Sequence, residues 1–164
     1  FENGNLPFIR MQHLNDLQED KYPVRFDLLN EHAVKEKKLK LIKSGSILLA
    51  KSGESIRSEK KAILRNDSYV VNHLAILQEY RKDILNDYLF YFFQEYKLSS
   101  LINQTTTPSI SLSDLGNIKV PLKSISEQNH IINKIQTIDN SILKSKNKLQ
   151  SSQSLQKSLI NQVF

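Results

Sequence analysis

NIKVPLKSISEQNHIINKIQTID, residues 117–139, decides how the rest of this chain is read. It holds a short apolar strand, a proline, a helix start and then isoleucines at helical spacing. Ser124-Ile125-Ser126-Glu127 has the form of a capping box. In such a box the Ser124 hydroxyl accepts from the backbone N–H three residues on, and the Glu127 carboxylate reaches back to the N–H of Ser124. Pro121 keeps the helix from starting earlier. Beyond the cap there is neither Pro nor Gly as far as Phe164. One helix of roughly 38 residues, about 57 Å long at about 1.5 Å per residue, is expected. That is too long to cover one face of a small domain, and it predicts an arm.

A 4-3 spacing runs along this arm through Ile131, Ile135, Ile138, Ile142, Ser145, Leu149, Ser152, Gln156, Leu159 and Val163. Ile132, Leu143, Leu155 and Ile160 widen the stripe. A seam of this kind needs a partner helix, because a lone helix leaves it in water. The boundary near Lys123 divides the chain into a globular part, residues 1–123, and a coiled-coil helix, residues 124–164.

Upstream, Leu6–Met11 reads as a short buried strand, and His13–Phe26 as polar and irregular, with Pro23 against a helix. Asn30 is a candidate N-cap for a helix over Glu31–Lys38, acidic at its start and basic at its end as the helix dipole favours. Gly45–Ala50 is an apolar run behind a glycine and reads as a core strand. In Lys51–Ser55 the residue able to supply a positive φ is Gly53, and Ile56–Lys61 reads as a charged loop. Strands are expected at Ala62–Arg65 and His73–Leu77, joined by a turn at Asn66-Asp67-Ser68. Asp83–Leu98 reads as a helix with a broad apolar face. Asn103–Ser109 is a hydroxyl-rich loop, Ile110–Leu112 a brief strand and Ser113–Gly116 a tight turn. The expected fold class is α+β: a compact mixed α/β domain with a small twisted sheet, followed by a long C-terminal helix.

The 164 residues carry a net charge of +6, no cysteine and only four glycines. With no cysteine, disulfides and thiolate metal sites are excluded, which fits a reducing cytoplasm. No apolar run is long enough to span a membrane, and no partner membrane is expected. The charge is uneven: −3 over residues 1–33, +7 over 34–65, −1 over 66–125 and +3 over 126–164. A local positive patch is what a polyanion partner needs, although a lysine-rich solvated face gives the same count.

Catalysis finds no support. His13, His32, His73 and His130 are scattered, with no pair at i, i+4, and the glycines form no phosphate-binding loop. Asp87 with Glu95 and Lys97 imitates an acidic-x-Lys nuclease pattern, but all three fall on an expected helix beside aromatic core residues rather than at strand ends. For nucleic acid the material is better. Lys51, Arg57, Lys60, Lys61 and Arg65 flank a predicted hairpin and can neutralise phosphates, with Ser52 in its turn. Arg57 can also make bidentate contacts to a guanine edge. Gln104, Thr105, Thr106, Thr107 and Ser109 can hydrogen-bond phosphates or base edges.

Together these motifs resemble the DNA-specificity (S) subunits of type I restriction–modification systems. The specific part is Ile118-Lys119-Val120-Pro121-Leu122 followed by Glu127-Gln128-Asn129-His130-Ile131-Ile132, similar to the family's strand–proline–Glu-Gln–helix signature. Leu6-Pro7-Phe8-Ile9-Arg10, Gly45-Ser46-Ile47-Leu48-Leu49 with Ser52-Gly53, and the Ser158–Phe164 ending resemble further family segments. Ser46 stands where Asp is usual, Lys123 where a second proline is common, and Ser55-Ile56-Arg57 where a glycine-containing turn is usual.

The resemblance implies a target-recognition domain over residues 1–123 that reads one half of a bipartite double-stranded DNA target. It implies a spacer helix over residues 124–164 that pairs antiparallel with another and docks methyltransferase (M) subunits. Methylation and cleavage would belong to the M and restriction (R) subunits of the endonuclease complex. S-adenosylmethionine and ATP would be theirs, so no cofactor and no catalytic residue is expected here. The helix partner would be a second S half or, in a homodimer, a second copy, met through Ile131, Ile135, Ile138, Ile142, Leu149 and Leu159. The alternative reading is a coiled-coil scaffold whose globular part binds protein and not specific DNA.

Overall fold

The computed structural model describes residues 4–18, 27–78, 81–102 and 108–163. The chain divides into two compact units, Phe1–Lys123 and Ser124–Phe164. In order, the elements are β1 (Leu6–Ile9), α1 (Leu14–Gln18), β2 (Asp27–Leu29), α2 (Glu31–Glu36), β3 (Ile47–Ala50), β4 (Lys61–Ile63), β5 (Tyr69–Val70), β6 (Leu74–Leu77), α3 (Asn86–Glu95), α4 (Leu112–Gly116) and α5 (Ile125–Val163).

Around β3 the first unit is built. All four of its side chains are buried, and alternation sends Ile47 and Leu49 to one apolar cluster and Leu48 to another. Ile47 and Leu49 join Ile56, Ile63, Ala75, Leu89, Phe90, Phe93, Leu98, Ile110 and Leu115 on one side. Leu48 joins Ile9, Leu14, Leu17, Ile42, Ala62, Leu64 and Leu74 on the other. A strand covered on both faces reads as an unbroken apolar run, which is why Ile47–Ala50 stands out in the sequence. Both β4 and β6 flank it antiparallel, with Ile47 opposite Ile63 and Ala50 opposite Leu74.

The single expected sheet is two three-stranded sheets among the described residues, ordered β2-β1-β5 and β4-β3-β6. The turn at Asn66-Asp67-Ser68 does not fold β4 back onto β6. Instead Ser68 bridges Ile42, and β5 runs parallel to β1, Phe8 opposite Tyr69. The Asp67 carboxylate holds this corner, accepting from the Ser44 amide at 2.9 Å and the Lys43 ammonium at 2.7 Å.

Other boundaries follow local chemistry. Asn30 caps α2 as expected, its Oδ1 accepting from Ala33 N at 2.8 Å. Gly53 takes φ 71°, but it opens a single 3-10 turn, Glu54–Ile56, and not a tight hairpin; Ile56 of the expected charged loop is fully buried. Where His13–Phe26 was expected to be irregular, Leu14 and Leu17 sit one turn apart on α1 and enter the second cluster. The expected turn at Ser113–Gly116 is the short helix α4, capped by the Ser111 hydroxyl. Ile118 and Val120 form no strand: they pack as irregular chain against the first cluster.

In the second unit, α5 is continuous over 39 residues. Its capping box forms as written in the sequence: Ser124 N donates to Glu127 Oε2 at 2.9 Å and Glu127 N to Ser124 Oγ at 3.3 Å. Along the seam Ile131 and Ile135 are half-buried, whereas Ile138, Ile142, Leu149, Leu159 and Val163 are exposed.

Candidate nucleic-acid interface

Two stretches singled out in the sequence meet in the first unit. Ser52 and Ser109 form an antiparallel bridge. Gly53 N donates to Pro108 O and Ile110 N to Lys51 O, both at 2.9 Å. The segment leaving β3 is thus stitched to the segment following the hydroxyl-rich loop. Gln104, Thr105, Thr106 and Thr107 themselves lie outside the described residues. Lys60 joins the same edge, because its carbonyl accepts from Ala50 N at 3.1 Å; its side chain is half-buried, like those of Lys51 and Ser52. Arg57 is exposed on the intervening loop, its Nε 3.3 Å from Glu54 Oε2.

A third segment completes the edge. Continuing the β3–β6 register past Ala50 and Leu74 sets Lys51 against His73, and Lys51 N donates to His73 O at 3.4 Å. His73 is exposed, and its Nδ1 lies 3.2 Å from Ser52 Oγ. From the sequence His73 was expected in a strand. It stands instead in the turn before β6, and no local signal marks it, since the placement comes from strand register.

The structure places two of the expected DNA-facing residues away from this edge. Lys61 is only 2% exposed. Alternation along β4 puts it on the same face as Ile63, toward α3. There its ammonium donates to Tyr96 O at 2.6 Å and Gln94 O at 3.3 Å, and lies 3.1 Å from Glu59 Oε2. It neutralises the carbonyl end of α3, and no charge is left for a phosphate. Arg65 is the other. Leu64 O accepts from Gly45 N, so Arg65 sits at the far end of β3 from Lys51, about 20 Å away at 3.4 Å per residue. It pairs there with Asp87 at 3.2 Å.

Glu59 anchors the base of the loop. Its carboxylate accepts from Leu98 N at 2.9 Å and Ser99 N at 3.0 Å, at the start of the 3-10 turn Leu98–Leu101. Desolvation acts to raise its pKa, but the hydrogen bonds from Ser99 and Leu98, with the Lys61 ammonium, outweigh it and hold the pKa at about 2. Its backbone is left-handed, φ 52°. A non-glycine residue stays in that region only where its surroundings hold it, and here the side chain is held on two sides.

Residues 2–151 match the family described as the type I restriction modification DNA specificity domain. The chain belongs to this family. Among curated proteins, the type I restriction enzyme MjaIX specificity subunit of Methanocaldococcus jannaschii is 32% identical over 137 residues, covering 79% of this chain and 30% of that protein. The chain thus spans under a third of that relative's length. A chain solved in work on complex assembly and conformational transition of the type I R-M system superposes with a TM-score of 0.64 at 18% identity, over 93% of this chain and 36% of its own. The HsdS subunit from Thermoanaerobacter tengcongensis superposes at 0.56 with 21% identity, over 88% and 33%. At these identities the likeness shows the fold: mixed α/β with small sheets and a long C-terminal helix.

In this specificity domain the nuclease-like residues are not gathered. Asp87 and Glu95 lie at opposite ends of α3, about 12 Å apart by helical rise, and Asp87 is engaged by Arg65. Among the described residues no group of His, Asp or Glu could hold a metal ion, and no helix is long and apolar enough to cross a membrane.

Proposed function

We propose that the unit Phe1–Lys123 of this specificity-domain chain is a target-recognition domain that reads one half of a bipartite sequence in double-stranded DNA. The observation that carries this reading is the family match across residues 2–151. Lys51, Ser52, Arg57, Lys60 and Ser109 form the DNA-facing edge, and Gln104, Thr105, Thr106 and Thr107 are assigned to the same task from their chemistry. The lysines neutralise phosphates and the hydroxyl and amide groups position the duplex or read it. Lys61 and Arg65 are assigned to holding the scaffold.

The helix over 124–164 acts as spacer and docking arm. Its exposed isoleucine and leucine seam is covered by a second S half or a second copy of the chain, and methyltransferase and restriction subunits assemble on that pair. Methylation and cleavage belong to those partners in the cytoplasm, and this chain supplies neither a catalytic group nor a cofactor site. Methylation profiling of host DNA with and without the gene tests the reading. A bipartite motif whose methylation disappears with the gene is expected. An unchanged methylome in a host whose M subunit is expressed would overturn it.

A further inference from the structure

Along the edge already described, His73 is the side chain whose geometry has no structural task. Its carbonyl serves the β3–β6 register, but its ring is exposed and, among the described residues, hydrogen-bonds at Nδ1, to Ser52 Oγ at 3.2 Å. Tying an exposed side chain costs rotamer entropy. The tie orients the ring, with no hydrogen bond to Nε2 among the described residues. Ser52 is itself bridged to Ser109, so ring, hydroxyl and Ser109 form one connected set.

The chemistry of that set is specific. With the Ser52 O–H donating into Nδ1 the neutral ring carries its hydrogen on Nε2, and the imidazolium, which donates Nδ1–H to Ser52 Oγ instead, carries a hydrogen on Nε2 as well. In these two arrangements Nε2 is a donor. Lys51 beside it supplies a positive charge, so an acceptor atom on a polyanion is the matching ligand.

We propose that His73, oriented by Ser52, is a further DNA contact, its Nε2 donating to an acceptor atom of the duplex. Phosphate oxygens and the major-groove acceptors of guanine and adenine share that chemistry. The inference rests on the DNA-binding reading above and deepens it, because it names a residue that neither motif nor charge pattern marks.

The test uses the chain as it occurs, assembled with its methyltransferase partner, and two probes: a random-sequence duplex pool and the cognate duplex selected from it. His73→Ala should weaken cognate binding about 3- to 10-fold, the range for one neutral hydrogen bond. His73→Gln, whose amide nitrogen takes the place of Nε2, should recover most of that loss. Ser52→Ala should weaken binding less, and should add nothing when His73 is already Ala. An equal loss on both probes identifies a phosphate oxygen, and a loss confined to the cognate duplex identifies a base edge.

Unchanged affinity in His73→Ala, a Gln variant as weak as the Ala variant, or additive losses from Ser52 and His73 would each overturn the proposal. Lys51→Ala, measured alongside, separates the two failures. If it weakens both probes while His73→Ala does not, the edge stands and His73 is removed from it. If neither variant weakens binding, the edge itself is wrong.

Discussion

The Lys61 ammonium lies 2.6 Å from the carbonyl oxygen of Tyr96, at the end of α3, and 3.1 Å from Glu59 on its other side. One buried cation thus ties β4, the loop before it and the helix that covers them. Removing it takes the cation from a half-buried carboxylate and the ammonium donor from the carbonyls of Gln94 and Tyr96. Lys61→Ala should therefore destabilise the first unit by about 1.5–3 kcal/mol, the range for hydrogen bonds to a charged group. Lys61→Met together with Glu59→Gln should cost less than Lys61→Ala alone, since no unpaired charge remains. Denaturant midpoints check both.

Acid should release the same clamp. The pKa of Glu59 in the fold, about 2, is depressed from 4.5, so its contribution to stability is complete above pH 4.5. It is lost as pH falls from about 4.5 to about 2, and amounts to about 3 kcal/mol by linkage. Glu59→Gln should flatten the stability profile in that window, with a constant deficit above pH 4.5 that closes as pH falls to about 2. An unfolding series from pH 7 to pH 2 on both proteins measures it.

Salt dependence should separate surface lysines from the buried one. A lysine on a phosphate lowers the slope of log K against log salt by about 1 when removed. Lys51→Ala and Lys60→Ala are each expected to do so, with weaker binding to every duplex. A Lys61 variant that remains folded is expected to keep the parent slope. Titrations on random-sequence DNA at several salt concentrations give all three slopes.

The arm should associate through its seam. Ile142 and Leu149 are 47% and 60% exposed in the single chain. Covering side chains of this size contributes about 1.5–3 kcal/mol each. Ile142→Asp with Leu149→Asp should abolish helix pairing while leaving the thermal transition of the first unit in place. Sedimentation equilibrium reads the association and circular dichroism the folding.

How much was legible depended on how far apart the deciding residues lie. The Ser124–Glu127 box, the Asn30 cap, the β3 run and the length of α5 all rest on neighbours within a few positions, and each is readable from residue type and spacing. Ile118–Val120 misleads because an apolar triplet looks the same as a strand or as irregular chain lying on a core. The Leu14–Leu17 helix is too short for periodicity to declare it.

For the candidate site the division is sharper. Lys51, Ser52, Lys60 and Ser109 were marked by their chemistry, but only the Ser52–Ser109 bridge, across more than fifty residues, makes them one edge. Within a Lys-Lys pair, composition cannot distinguish Lys60 from Lys61; the alternation of β4 buries one and leaves the other at the edge.

By itself, then, the sequence determined the arm, its start and its apolar seam, since capping and helical period are local chemistry. Only the tertiary structure decided the separate sheet of β2-β1-β5, the burial of Lys61 and the meeting of His73 with Ser52. Each of these follows from strand pairing and face parity, which depend on residues distant along the chain and brought together only by folding.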